Sequence, residues 1–170
     1  HCDIKGKQVL VEVGVQKGGS LELWSKLWPG PVIGIDVDPE CAKLQYDVVN
    51  RTPPKIVIAD QSNPEFWDEF LKENPRIDFF IDDGGHFCDA QILTFEKVFP
   101  KLHVGGIYIC EDVHSSYMPY NGGGYRNSGS FIEYAKSYID ILHRDWFDYN
   151  DEELNRRNIL AKDLTSVHFY

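Results

Sequence analysis

Residues 77–86 read Ile77-Asp78-Phe79-Phe80-Ile81-Asp82-Asp83-Gly84-Gly85-His86. A short apolar run closes in two carboxylates, two glycines and an imidazole. The run Ile77–Ile81 has the length and composition of a buried strand, and the polar cluster after it suits a strand end. A second apolar run, Ile107–Cys110, closes the same way in Glu111-Asp112. Carboxylates recurring at strand ends are costly in a core and useful in a site.

Outward from this stretch the same pattern repeats. Gln8–Val13 (QVLVEV) is β-rich and leads into the glycine-containing turn Gly14–Gly19. Ser20 suits a helix N-cap, and Leu21, Leu23, Trp24, Leu27 and Trp28 give an apolar helical face that Pro29-Gly30-Pro31 stops. Val32–Ile35 reads as a second buried strand ending at Asp36, with a short helix over Pro39–Gln45. Lys55–Ala59 is a third strand, ending at Asp60-Gln61; Asn63-Pro64-Glu65 then supplies an N-cap, a proline and an acid for a helix over Pro64–Glu73. After the strand Ile77–Ile81 the pattern predicts a helix over Phe87–Leu102, a turn at Gly105-Gly106, and the strand Ile107–Cys110. Beyond the polar, aromatic and glycine-rich segment Val113–Gly129, a helix is expected over Ser130–Trp146, a charged loop or helix over Asp148–Asn158, and a sixth strand over Ser166–Tyr170.

Short apolar strands alternating with helices predict an α/β, Rossmann-like fold with a mostly parallel sheet covered on both faces. In such sheets ligands bind at the carboxyl ends of the strands, near the reversal in strand order. At 170 residues the chain is expected to be one domain, residues 1–170, with a core of useful size.

Charge and cysteine content narrow the partners. The net charge of −10, with Lys and Arg scattered, argues against a nucleic-acid partner, because phosphate contacts need clustered basic groups. Four cysteines without a CxxC or a pairing rhythm read as reduced thiols, so a cytoplasmic setting is expected. No apolar run approaches the ~18 residues of a membrane helix, so no membrane partner is expected. A homo-oligomer is left open.

The strand ends divide into two groups. On the first strand, Glu12 and Gly14 precede Gly18-Gly19-Ser20, where glycines let a ligand approach the backbone and a helix N-terminus offers free N–H groups. A dinucleotide fingerprint needs glycine at position 16, which is Gln16, and a phosphate-binding loop needs a lysine before Ser20. Asp36 stands where an acid accepts ribose hydroxyls, and Asp60-Gln61 end the next strand. Together these point to a nucleoside-bearing ligand. On the other side, Asp83, Glu111 and Asp112 offer hard oxygen ligands suited to Mg²⁺ or another divalent cation. His86 suits a general base, with His114 a weaker candidate, and Asp82 suits either a helix cap or a contact to the cofactor amine.

Glu12–Ser20, Asp36 and Asp60-Gln61-Ser62, with Asp82–His86 and Gly105–Asp112, resemble the class I S-adenosylmethionine-dependent methyltransferases, and among them the metal-dependent O-methyltransferases of macrolide sugars, with relatives labelled cephalosporin hydroxylase or rhamnosyl O-methyltransferase. The resemblance covers Val9 to Tyr117 well and is loose from Met118 onward. It implies S-adenosylmethionine as cofactor, Glu12 and Gly14 at its methionine end, Asp36 on the ribose, and Asp60-Gln61 near the adenine. It further implies Asp83, Glu111 and Asp112 on the metal, with His86 taking the proton. Set against the family pattern, this sequence is expected to lack a segment before strand one and a last strand antiparallel to strand six. The expected reaction is O-methylation of a vicinal diol on a sugar or glycosylated small molecule. The alternatives are a catechol-type O-methyltransferase acting on an aromatic diol and a non-catalytic S-adenosylmethionine-binding module.

Overall fold

The computed structural model describes residues 8–49, 51–146, 152, 156–157, 160 and 162–170. Five parallel strands form one sheet in the order β3-β2-β1-β4-β5. They are β1 (Leu10–Val13), β2 (Val32–Asp36), β3 (Lys55–Ile58), β4 (Ile77–Asp82) and β5 (Leu102–Cys110). Helices α1 (Gly19–Leu27), α2 (Pro64–Glu73), α3 (Cys88–Val98) and α4 (Phe131–Leu142) complete the frame.

Side chains alternate across the sheet, and each set finds its own cover. Val11, Val13, Ile33, Ile35, Ile77 and Phe80 pack with Trp67 and Phe70 of α2 and Val98 of α3. Leu10, Val32 and, at the edge, Phe79 pack with Leu21, Trp24 and Trp28 on the side of α1. Trp67 is fully buried, so truncating it to alanine is expected to cost about 3–5 kcal/mol. A third cluster joins Ile92, Phe95 and Phe99 to Phe131, Tyr134, Tyr138 and Ile141 of α4.

Helix α2 spans the expected residues because Asn63 caps it, accepting from the Glu65 and Phe66 amides, and Pro64 opens it. Helix α1 instead starts two residues early: Gly18, with φ 76°, is its N-cap, and the Ser20 hydroxyl goes elsewhere. Helix α3 gives way to a 3-10 turn at Phe99–Lys101 before Leu102. Gly105-Gly106 do not precede the last strand but lie within β5, in a bulge: Leu102 pairs with Ile77, and Ile107 with Phe79. Ser166–Tyr170 forms no strand; Val167 instead packs on the α3–α4 cluster. Most of the charged segment expected over Asp148–Asn158 lies outside the described residues.

Candidate functional site

The direction of winding reverses between β1 and β4, and the two strand ends meet there. Gly14 has φ +94°, and a Cβ at this position would lie 1.9 Å from the Asp83 carbonyl oxygen. Only glycine permits both the backbone angle and the approach.

A cavity of about 600 Å³ opens at this junction, in the size range of small-molecule and cofactor sites. Gly14, Asp36, Asp60, Gln61 and Asp83 are among the residues lining it, with Val37 and Phe87 as apolar walls. Asp36 accepts from the Val15, Gln16 and Asp38 backbone amides at 2.8, 3.0 and 2.9 Å. Burial opposes its ionisation, but these amides outweigh burial and hold the carboxyl below its usual range. Asp60 is exposed and accepts from the Ser62 hydroxyl and amide, which lower its pKa.

Four of the residues expected around a cofactor stand away from the cavity lining. Glu12 is buried and turned to the α1 side of the sheet, where its carboxylate accepts from the Ser20 hydroxyl and, at 2.8 Å, from the Trp24 indole N–H. Burial raises its pKa; those two bonds lower it, and the charges of Asp83 and Glu111 raise it again. Gly18 is packed under Tyr46. Asp82 is wholly buried on the opposite face, accepting from Gln61 Nε2 at 3.1 Å and Tyr108 Oη at 3.2 Å. Burial pushes it up to about 6, against the lowering effect of its hydrogen bonds. Asp82 is thus spent inside the protein, not presented to a ligand amine.

Asp83, its neighbour, points the other way and is half-buried at the cavity edge. His86 Nε2 lies 4.0 Å from Asp83 Oδ1 and 3.6 Å from Asp112 Oδ2. Candidate ligand atoms of Asp83, His86 and Asp112 all fall within 4.8 Å of one another. Glu111, expected as a third ligand, stands outside this group among the described residues, and its backbone N–H donates to the Asp82 carbonyl. Its charge still reaches the site. Burial raises the pKa of both Asp83 and Glu111, and repulsion from neighbouring carboxylates raises it further. Hard oxygen donors that repel one another, beside an imidazole, fit a divalent cation. His86 and Asp112 both adopt left-handed backbone, φ 55° and 50°, a sparsely populated conformation of the kind that clusters at ligand-holding sites. His114 is exposed, with Nδ1 3.7 Å from Asp112 Oδ1.

The sequence reading missed Tyr108, Trp24 and Thr94 as polar partners of the site. Their aromatic or helical context marks them as core, and only the fold brings the Trp24 and Tyr108 donors to Glu12 and Asp82 and the Thr94 hydroxyl, as an acceptor, to Gln61.

Comparison with known proteins points to the same fold. No protein-family model matches the chain. The 8-demethyl-8-alpha-L-rhamnosyl tetracenomycin-C 2'-O-methyltransferase of Streptomyces olivaceus is 32% identical over 172 residues, covering 95% of this chain and 43% of the relative. Mycinamicin VI 2''-O-methyltransferase of Micromonospora griseorubida is 30% identical, covering 99% of this chain and 43% of its own length. The solved MycE methyltransferase from the mycinamycin biosynthetic pathway, in complex with Mg, SAH and mycinamycin VI, aligns with TM-score 0.78 at 26% identity, covering 89% of this chain and 40% of that one. The fold is that of a class I methyltransferase. Within that fold, this chain is similar to the O-methyltransferases of macrolide and related sugars, and it spans less than half the length of the curated relatives it matches. Among the described residues of this methyltransferase fold, no helix is long and apolar enough to cross a membrane.

Proposed function

We propose that the chain is the core of an S-adenosylmethionine-dependent, Mg²⁺-assisted O-methyltransferase acting on a vicinal diol of a sugar or glycosylated small molecule. The observation that carries this reading is the convergence of Asp83, His86 and Asp112 on the edge of the cavity at the sheet's switch point. The relatives are named for O-methylation of sugar-bearing products, and one solved neighbour is described with Mg and SAH.

When bound, S-adenosylmethionine supplies an electrophilic methyl group and Mg²⁺ a Lewis acid that acidifies a coordinated hydroxyl. The chain's own residues do the rest. Asp83 and Asp112 would hold the cation, with Glu111 adding negative potential beside them. His86 presents Nε2 to this group while its Nδ1 is buried without a hydrogen-bond partner, so the hydroxyl proton is taken at Nε2. The resulting imidazolium is stabilised by Asp112 and Asp83 at 3.6 and 4.0 Å. Asp36 and Asp60, both ionised, accept from hydroxyl and amino groups of the nucleoside. Phe87, half exposed at the cavity wall, supplies apolar cover.

The test is turnover with a labelled methyl donor across a panel of glycosides bearing vicinal diols, with Mg²⁺ titrated and then removed by EDTA. Transfer that stops with EDTA and returns with Mg²⁺ supports the reading. Turnover that ignores the chelator removes the metal from it.

A further inference from the structure

Gln61 was expected near an adenine, yet its side chain is almost fully occupied within the protein. It is 7% exposed. Nε2 donates to Asp82 Oδ1 at 3.1 Å and to Thr94 Oγ1 of α3 at 3.3 Å. Oε1 accepts the Gly85 backbone N–H at 2.9 Å, and the Gln61 carbonyl accepts the Trp67 indole N–H at 2.8 Å. The amide lies so close over the turn that a Cβ on Gly84 would come within 1.8 Å of Oε1.

One side chain therefore ties β3, β4 and α3 to the segment Asp83–His86, which carries the candidate cation ligand Asp83 and the proposed base His86. The Asp83 N–H also donates to the Val13 carbonyl at 3.0 Å and Gly14 packs on the Asp83 carbonyl, while Gln61 holds the turn that follows at Gly85. The glycines at 84 and 85 leave its backbone free, and His86 sits in the left-handed region.

We infer that Gln61 is a positioning residue for the metal group, setting Asp83 and His86 through Gly85 and Asp82 and not by touching the cofactor's base. The inference rests on the proposed function. Hydrogen-bond partners behind metal ligands commonly change affinity by about 10–100-fold when removed. A buried amide with both ends bonded is rigid enough to act in this way.

Calorimetry on the whole chain decides it, with Mn²⁺ and S-adenosylhomocysteine titrated separately into wild type, Gln61→Met and Gln61→Asn, each first checked by thermal melting. Met keeps the length without the donors, and Asn keeps an amide one methylene too short to reach both partners. Expected is Mn²⁺ binding weakened about tenfold or more in Gln61→Met, with S-adenosylhomocysteine affinity held within about threefold. Gln61→Asn should show the same ordering at smaller size, and it decides the question if Gln61→Met does not fold. A larger loss for S-adenosylhomocysteine than for Mn²⁺, or unchanged affinity for Mn²⁺, overturns the inference and leaves the proposed function standing. Wild type that binds neither probe overturns both.

Discussion

Gly14 and Asp83 touch across the reversal of the sheet, with the space for a Cβ on residue 14 taken by the Asp83 carbonyl oxygen. This contact joins the turn after β1 to the turn after β4, so the cavity and the metal group share one backbone junction. Gly14→Ala must escape both a φ of +94° and a 1.9 Å overlap with backbone, which no side-chain motion relieves. A loss of at least about 2 kcal/mol is expected, since the left-handed backbone alone costs an L-residue about 1–2 kcal/mol. Urea titration measures it, and a variant as stable as wild type would show that the junction is not tight.

At the opposite end of the sheet, Asp78 links β4 to the residue before β1. It is 8% exposed, accepts the Val9 amide at 3.0 Å, pairs with Arg76 at 2.9 Å, and has His103 Nδ1 3.6 Å away. Burial raises its pKa, but the Arg76 pair and the Val9 amide prevail and hold the carboxyl below its usual value. A folded pKa below the unfolded one gives stability that is present above the unfolded value, about 3.9, and is lost as pH falls through the folded value. Asp78→Asn is therefore expected to be less stable than wild type at pH 7 by about 1–3 kcal/mol, the cost of losing charge-assisted bonds at a buried site. The gap should close below about pH 4. Denaturant midpoints at neutral and acid pH check it; a gap that is constant with pH would mean the carboxylate's charge contributes nothing.

The strands, most of the helices and the ligand-bearing ends were legible because each depends on local pattern. Apolar runs stop at Asp36, Asp60 and Asp82-Asp83, and Asn63-Pro64 marks the start of α2 without help from the rest of the chain. What was not legible depends on partners far along the chain. Adjacent aspartates at 82 and 83 must face opposite sides of the strand, but only the packing of Tyr108, Thr94 and Gln61 decides that Asp82 is the buried one. Glu12 is turned from the cavity for the same reason, because Trp24 and Ser20 on α1 meet it from the other face. Ser166–Tyr170 has strand-like composition, yet β propensity yields a strand only where a partner edge pairs with it.

Asp112 tests the metal group without disturbing the fold. Its backbone is left-handed, φ 50° and ψ 35°, a conformation that Asp and Asn tolerate better than other non-glycine residues. Asp112→Asn keeps the shape and the backbone preference while removing the charge 3.6 Å from His86 Nε2. Its melting temperature should match wild type, and Mn²⁺ affinity should fall at least about tenfold, as loss of a direct ligand costs no less than loss of a supporting one. Calorimetry at fixed pH reads the change; undiminished affinity would exclude Asp112 from the metal group.

Asp83 stands where the two halves of the site are hardest to separate, because it lines the cavity and belongs to the metal group. Its backbone carbonyl, not its carboxylate, is what meets Gly14, so truncating the side chain leaves that junction in place. Its carboxyl pKa is raised by burial, lowered by His86, and raised again by Asp112. Removing the carboxylate takes away a hard oxygen ligand and relieves the repulsion felt by Glu12 and Glu111. Asp83→Ala should therefore abolish Mg²⁺-dependent methyl transfer while S-adenosylhomocysteine affinity stays within a few-fold of wild type. The two readings come from separate experiments, turnover against Mg²⁺ and calorimetry with S-adenosylhomocysteine. If affinity for S-adenosylhomocysteine collapses while metal binding survives, the Asp83 carboxylate serves the cofactor, and the division of labour drawn between the buried Asp82 and the half-buried Asp83 is wrong.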